Sequence, residues 1–110
     1  MDLVVSVCRA LANRDRLRMI HGIYSRPGMT MQQIARHVDV PDPAVSKHTK
    51  LLAGYHLVQT TPSGRYVYCA APAANSTSNS FLKEMQNLLR QIFIPGKGNR
   101  ALAQVCDYVG

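Results

Sequence analysis

The chain has 110 residues, of which 46% are hydrophobic, so it can bury the core of one domain and is not disordered by default. Thirteen Lys and Arg residues against six Asp and Glu give a net charge of +7. No apolar run reaches the roughly 18 residues of a membrane-spanning helix, and no basic segment precedes the first apolar stretch as in a signal peptide. Three widely spaced cysteines do not make a disulfide framework. These features predict a cytoplasmic protein.

The first 25 residues show helical periodicity and are predicted to form two helices. Asn13 can cap a second helix over 14–25, and Pro27-Gly28 can end it. The predicted apolar face of the first helix consists of Leu3, Val4, Val7, Cys8 and Leu11. The predicted core face of the second helix consists of Leu17, Ile20, Ile23 and Tyr24.

Two short helices are predicted next, separated by a tight turn at 39–41. Thr30 followed by Gln33 is a capping-box pattern, which opens the third helix. Asp42 is predicted to cap the fourth helix, with Pro43 at its first position, where a missing N–H costs nothing. The inward face of the fourth helix is predicted to be Val45, Thr49 and Leu52. Two short helices joined by a tight turn are typical of a helix-turn-helix.

The outward face of the fourth helix and the hairpin that follows it indicate a partner. Ser46, Lys47 and Lys50 face outward, and strands are predicted over 57–61 and 66–70 with Gly64-Arg65 at the tip. A basic helix suits a DNA groove, and a basic hairpin tip suits the adjacent phosphate backbone. Residues 1–70 carry a net +5 against +2 for 71–110, which agrees with this reading. The sequence therefore predicts a mostly α winged helix-turn-helix with a small β-hairpin and double-stranded DNA as partner.

A small polar linker, 71–80, leads to two further helices over 80–93 and 99–109. The first of them carries an apolar stripe that is too wide to be covered by its own domain alone, which indicates a partner subunit. The stripe consists of Phe81, Leu82, Met85, Leu88, Leu89, Ile92 and Phe93. We expect residues 1–110 to form a single domain.

Three segments in the same order and spacing resemble the ArsR/SmtB family of winged-helix repressors. Residues 10–20, ALANRDRLRMI, resemble the family's ALA-x-x-x-R-L-x-I opening. Residues 45–52, VSKHTKLL, resemble its V-S-R/K-H-L-x-x-L helix. Leu57-Val58 and the return strand Gly64-Arg65-Tyr66-Val67-Tyr68 resemble its wing. The resemblance covers roughly residues 7–72.

The resemblance implies a homodimeric repressor. Its helix-turn-helix and wing would span 13–70, and segments 1–12 and 80–109 would supply the dimerisation helices. Two recognition helices would then occupy successive major grooves, about 34 Å apart. The positions that the family's pattern assigns to DNA on this helix are Pro43, Ala44, Ser46, Lys47, His48 and Lys50. At the wing tip, Arg65 would contact phosphate or the minor groove.

The chain departs from the family pattern at two positions. Thr49 stands where leucine is common, which predicts looser packing behind the fourth helix. His56 stands where glycine usually ends that helix, and histidine is among the residues enriched at positive φ.

Neither familiar metal site of the family is present. The positions matching its cysteine cluster are Thr30, Gln32 and Ala35, which are not soft-metal ligands. No histidine follows His56, and Glu84 is the single carboxylate on the post-wing helix. We therefore predict no bound metal and no cofactor, and the effector stays unknown.

Two alternatives remain, one for the cysteines and one for the partner. Cys8 and Cys106 lie on apolar faces of terminal helices that could meet in a dimer interface, where they would form a regulatory disulfide or a soft-metal pair, or be small buried hydrophobes. Cys69 is predicted to be a core residue. A winged-helix protein-interaction module without a DNA role is the second alternative. No catalytic motif occurs, and six acidic residues leave few candidates for acid–base catalysis, so an enzyme is not predicted.

Overall fold

The computed structural model describes residues 2–93 and contains five helices and a three-stranded antiparallel sheet within that range. No helix in this range is long and apolar enough to cross a membrane. In chain order the elements are α1 Asp2–Leu11, α2 Arg14–Ser25, β1 Met29–Thr30, α3 Met31–Val38, α4 Asp42–Gly54, β2 Gln59–Ser63, β3 Tyr66–Ala70 and α5 Ser80–Ile92. The helix predicted over 99–109 lies outside the described residues.

The sheet has the order β1-β3-β2, so the hairpin strands β2 and β3 are joined by a third strand that was not predicted. In β1, Met29 pairs with Cys69 and Thr30 with Tyr68. A two-residue strand is too short to show the alternating pattern by which strands are recognised in a sequence. β2 begins at Gln59 rather than at the predicted Leu57. The reason is that Leu57 donates its N–H to the Leu52 carbonyl, in the turn that closes α4.

One core joins all five helices to the sheet. The inward faces predicted for α2 and α4 are confirmed, because each of their residues is buried. The best-covered members of this core are Val7, Met19, Ile20, Ile23, Ile34, Val38, Val45, Leu52, Leu57, Cys69 and Phe93. Thr49 is buried on the inward face of α4 although it is polar, and its hydroxyl donates to the Val45 carbonyl oxygen at 2.7 Å. That bond satisfies the one polar group at this position.

The start of α3 confirms one capping prediction, and the start of α4 corrects another. Thr30 Oγ1 accepts the Gln33 N–H at 3.2 Å, while Gln33 Oε1 accepts the Thr30 N–H at 2.9 Å. This is the predicted capping box. Asp42, in contrast, is the first residue of α4, and Pro41 occupies the cap position with no side-chain hydrogen bond. The prediction that Asp42 caps α4 is therefore wrong, and its charge lies in the first turn instead, where the helix dipole favours it.

The end of α4 is closed by a left-handed residue. His56 has φ 57°, as the sequence predicted for a position where glycine is usual. His56 N–H donates to Ala53, and Leu57 N–H donates to Leu52, each at 3.0 Å. This pair of bonds is the Schellman arrangement, which satisfies the last carbonyls of a helix. It turns the chain directly into β2.

Two side chains from other helices hold the carbonyls of that turn. Gln86 of α5 is buried, and its Nε2 donates to the His56 carbonyl at 2.7 Å and to Ser76 Oγ at 3.1 Å. Tyr24 of α2 donates its hydroxyl to the Leu57 carbonyl at 2.6 Å. Burial raises the pKa of Tyr24 well above its usual range, so this donor stays protonated. The root of the hairpin is thus tied to both α2 and α5.

Replacing Gln86 with Met is expected to lower the free energy of unfolding by about 0.5–1.5 kcal/mol, the net value of a hydrogen bond, because the partly buried His56 carbonyl loses its donor. Met preserves most of the side-chain volume. The matched control is Gln91→Met, since Gln91 is exposed on the same helix. Urea denaturation of both variants at one protein concentration measures the difference. Equal stability of the two variants would contradict the role of the Gln86 hydrogen bonds.

Candidate nucleic-acid interface

The outward face of α4 is basic and open. Pro43, Lys47 and Lys50 are exposed, whereas Ala44, Ser46 and His48 are partly buried. The helix has this face because Val45, Thr49 and Leu52 fill the opposite side, at the 3.6-residue period of an α-helix. The short side chains of Ala44 and Ser46 leave the backbone near its start approachable.

The tip of the β2–β3 hairpin is a two-residue loop. Ser63 pairs with Tyr66, and Gly64 between them has φ +60° while the next residue, Arg65, does not have a positive φ. A positive φ at the first loop residue alone fits a type II′ turn, in which glycine is preferred. No atom lies within 4 Å of an added Gly64 Cβ, so backbone conformation rather than space demands glycine here. The turn projects Arg65 as an exposed side chain.

His48, one of the predicted DNA contacts, forms a hydrogen bond within the protein. Its Nδ1 lies 3.1 Å from Arg16 Nη1 of α2, so the ring is held against a residue 32 positions away. Burial and the Arg16 guanidinium lower the pKa of His48 below its ordinary value of 6.5, while Asp15 acts in the opposite direction. His48 is therefore uncharged at neutral pH, unlike its neighbour Lys47.

The fold is similar to that of several solved structures. Reduced HlyU from Vibrio cholerae N16961 superposes with a TM-score of 0.61 at 20% identity, covering 84% of this chain and 90% of that one. The fold is a winged helix-turn-helix. NolR from Sinorhizobium fredii gives a TM-score of 0.61 at 21% identity, covering 84% and 85%. A transcriptional regulator HlyU from Vibrio vulnificus CMCP6 gives 0.58 at 21% identity, covering 82% and 86%. No family model and no curated protein sequence matches the chain.

The outer face of the winged helix-turn-helix sheet carries an aromatic pair that the sequence prediction did not single out. Tyr66 and Tyr68 are 45% and 38% exposed, and their ring centroids lie 6.4 Å apart in an edge arrangement. The sequence did contain a signal for this pair. Side chains alternate along a strand, so the core position of Cys69 implies that Tyr66 and Tyr68 point to the other face. With Arg36 of α3, the two tyrosines line a polar cavity of about 390 Å³ beside the wing.

The cysteines of the winged helix-turn-helix differ in environment. Cys69 is fully buried on β3, as predicted, and burial raises its pKa to about 11. Cys8 is exposed on α1 of the single chain. Cys106 lies outside the described residues. Between positions 2 and 93, no three His, Cys, Asp or Glu side chains cluster closely enough to hold a metal ion.

An apolar groove lies between α1, α2 and α5 of the winged helix-turn-helix, away from the hairpin strands. Its volume is about 290 Å³, and Cys8 stands at its edge. Val4 and Val5 of α1 are 41% and 47% exposed, and Leu88 of α5 is 45% exposed. The groove is lined by Cys8, Leu11, Ala12, Leu17, Met85, Leu88, Leu89, Ile92 and Phe93. The predicted apolar stripe of α5 is thus only partly covered.

Proposed function

We propose that the chain is a cytoplasmic, homodimeric transcriptional regulator of the ArsR type that binds double-stranded DNA sequence-specifically and acts as a repressor without the family's usual metal sites. The observation that carries this proposal is the open face of α4, where the exposed Lys47 and Lys50 lie beside the short Ser46 in a winged helix-turn-helix. A helix with this surface fits the major groove of B-DNA, and the exposed Arg65 of the wing fits a neighbouring phosphate or the minor groove.

Some of the proposed contacts supply affinity, and others supply specificity. Lysine and arginine neutralise phosphates and release counterions, which supplies most of the affinity and makes it fall steeply with salt. Side chains near the start of α4 read base edges, at about 1–3 kcal/mol for each good contact. The residues assigned to DNA are Pro43, Ala44, Ser46, Lys47, His48, Lys50 and Arg65.

Dimerisation through 1–12 and 80–109 would place two copies of α4 on one side of the DNA. The exposed Val4, Val5 and Leu88 beside the apolar groove support this assignment, since large apolar side chains grouped on a surface commonly mark an interface. A two-fold dimer requires an operator with two half-sites about one DNA turn (~34 Å) apart.

The experiment that tests the proposal is selection of binding sites from random DNA by the purified protein. Enrichment of a two-fold symmetric sequence is the expected result, and sedimentation analysis of the same sample should give the mass of a dimer. A selection that enriches no sequence would contradict the proposal. That outcome would favour the alternative of a winged-helix protein-interaction module, in which α5 and the segment after it hold another protein.

A second candidate function adds a thiol switch to the same regulator, and the exposure of Cys8 at the edge of the apolar groove favours it. The switch would pair Cys8 with Cys106. Operator affinity is compared under oxidant and reductant, for the natural chain and for Cys8→Ser. An affinity that changes with oxidation only when Cys8 is present supports the switch, and an unchanged affinity removes it.

A further inference from the structure

Arg16 links the end of α1 to the outward face of α4. Its Nε donates to the Ala10 carbonyl at 2.6 Å, and its Nη2 donates to the Arg9 carbonyl at 3.2 Å. These are carbonyls of the last turn of α1, which have no partner within that helix. The remaining terminal nitrogen, Nη1, lies 3.1 Å from His48 Nδ1. Three bonds in different directions fix the guanidinium and, through it, one edge of the His48 ring.

The chemistry of this contact decides where the His48 proton lies. A guanidinium stays charged and has donors only, with no lone pair to offer. The Arg16–His48 bond therefore requires an unprotonated Nδ1, and the proton of the neutral ring must be on Nε2. Protonation of both nitrogens would place two donors and two positive charges face to face. Burial and Arg16 oppose that charge, as the lowered pKa of His48 reflects, and Asp15 of the same helix favours it.

The opposite edge of the ring is free to meet a partner. No protein group among residues 2–93 forms a hydrogen bond with His48 Nε2, and in this range Ser25 Oγ is the one buried side-chain polar atom without a partner. Nε2 therefore reaches solvent, on the helix that also exposes Lys47 and Lys50.

We infer that Arg16 is a positioning residue that holds His48 as an uncharged Nε2–H donor, so that His48 contacts a hydrogen-bond acceptor on the DNA, either a phosphate oxygen or the N7/O6 edge of a purine. This inference rests on the proposed function and assigns to His48 a chemistry different from that of the lysines beside it. Lys47 and Lys50 bring charge, whereas His48 brings one directed donor. A single neutral donor releases no counterion, so it adds little to the salt dependence of the affinity, and it adds specificity where its acceptor is a base edge.

The test compares two replacements of His48 on the selected operator. His48→Asn keeps a polar group near Nδ1 but does not reach the Nε2 position, and we expect it to weaken binding about fivefold to tenfold, the value of one hydrogen bond. His48→Gln extends an amide donor to the Nε2 position and should recover most of that loss. Arg16→Lys should lose about as much as His48→Asn, and the double variant little more, because the two residues act as one unit.

A spectroscopic measurement separates positioning from mere structural support. In Arg16→Gln the pKa of His48, followed by NMR titration of its ring, should rise toward the ordinary value. The matched control is Arg14→Gln, an exposed arginine of the same helix, which should leave that pKa where it is. A circular-dichroism melt checks that each variant is folded, and the two His48 variants remain informative if the Arg16 variants are not.

The outcomes distinguish this inference from the proposed function. If the natural chain selects no DNA sequence, the proposed function fails and the inference fails with it. If the chain binds an operator but His48→Asn binds as tightly as the natural chain, the inference alone is overturned. Independent, multiplying losses in the Arg16→Lys, His48→Asn double variant would overturn it as well. Operators with 7-deazapurines or with methylphosphonates then show whether the acceptor is a base or a phosphate.

Discussion

The double variant Lys47→Ala, Lys50→Ala is expected to bind the operator at least about thirtyfold more weakly while remaining folded and dimeric. Both side chains are exposed on α4 and contribute nothing to the core, so their removal changes the proposed interface and little else. Each contact with a base edge or phosphate is worth about 1–3 kcal/mol, and two such losses exceed about 2 kcal/mol. Fluorescence anisotropy with labelled operator measures the affinity, and circular dichroism checks the fold.

The matched control removes two positive charges elsewhere. Lys83 of α5 and Arg26 at the end of α2 are both exposed, so Arg26→Ala, Lys83→Ala has the same net charge as the test variant. We expect its affinity to stay within about threefold of the natural chain, because screening weakens charges that lie beyond about 8 Å at physiological salt. Unchanged operator affinity in the Lys47, Lys50 variant would count against the assignment of α4 as the recognition helix.

The salt dependence of the same two variants tells phosphate contacts from base contacts. Each phosphate neutralised by a lysine adds about 0.9 to the slope of log affinity against log salt. A slope that is smaller by about two in the Lys47, Lys50 variant indicates two phosphate contacts. An unchanged slope with a weaker affinity indicates that the lysines read bases, since base contacts carry specificity without releasing counterions.

Leu52→Ala should lower the free energy of unfolding by about 2–5 kcal/mol, the cost of a large-to-small change in a packed core. Leu52 is fully buried on the inward face of α4. The neighbouring Leu51 offers a control on the same helix, because it is 38% exposed and lies on the other side. Leu51→Ala is expected to cost less than about 1 kcal/mol.

Both leucine variants are measured by urea denaturation at one protein concentration, because the stability of a dimer depends on concentration. Similar losses for Leu51→Ala and Leu52→Ala would contradict the orientation of α4 that the proposed DNA contacts need. If Leu52 faced outward, Lys47 and Lys50 would not share the open face.

The parts of the fold that follow from local chemistry could be predicted from the sequence. The Thr30–Gln33 capping box and the positive φ of His56 depend on residues within a few positions of each other, and both predictions are confirmed. The open face of α4 follows in the same way, because Val45, Thr49 and Leu52 have the helical period. The spacing of the buried residues decides which face is open, so the prediction of that face does not depend on where the helix begins or ends.

The parts that depend on distant partners could not be predicted. Pairing of Met29 with Cys69 creates β1, yet nothing near Met29 indicates a strand. Gln86 is buried because it donates to the His56 carbonyl, 30 residues away. A glutamine in an amphipathic helix ordinarily faces solvent, so its burial could not be predicted. The contact between Arg16 and His48 likewise joins positions 32 apart. The sequence therefore indicated which side chains could touch DNA, but not what holds one of them in place.

The hydrogen bonds at the root of the hairpin have a mechanical consequence. Gln86 on α5 and Tyr24 on α2 hold the carbonyls of His56 and Leu57, at the point where α4 becomes β2. A sliding or tilting of α5 must either move this junction with it or break the hydrogen bond from Gln86 to the partly buried His56 carbonyl, at a cost of about 0.5–1.5 kcal/mol. The base of the hairpin is therefore held by α5, the helix whose apolar stripe is only partly covered. We therefore expect a displacement of that helix to change the angle at which the hairpin carries Arg65.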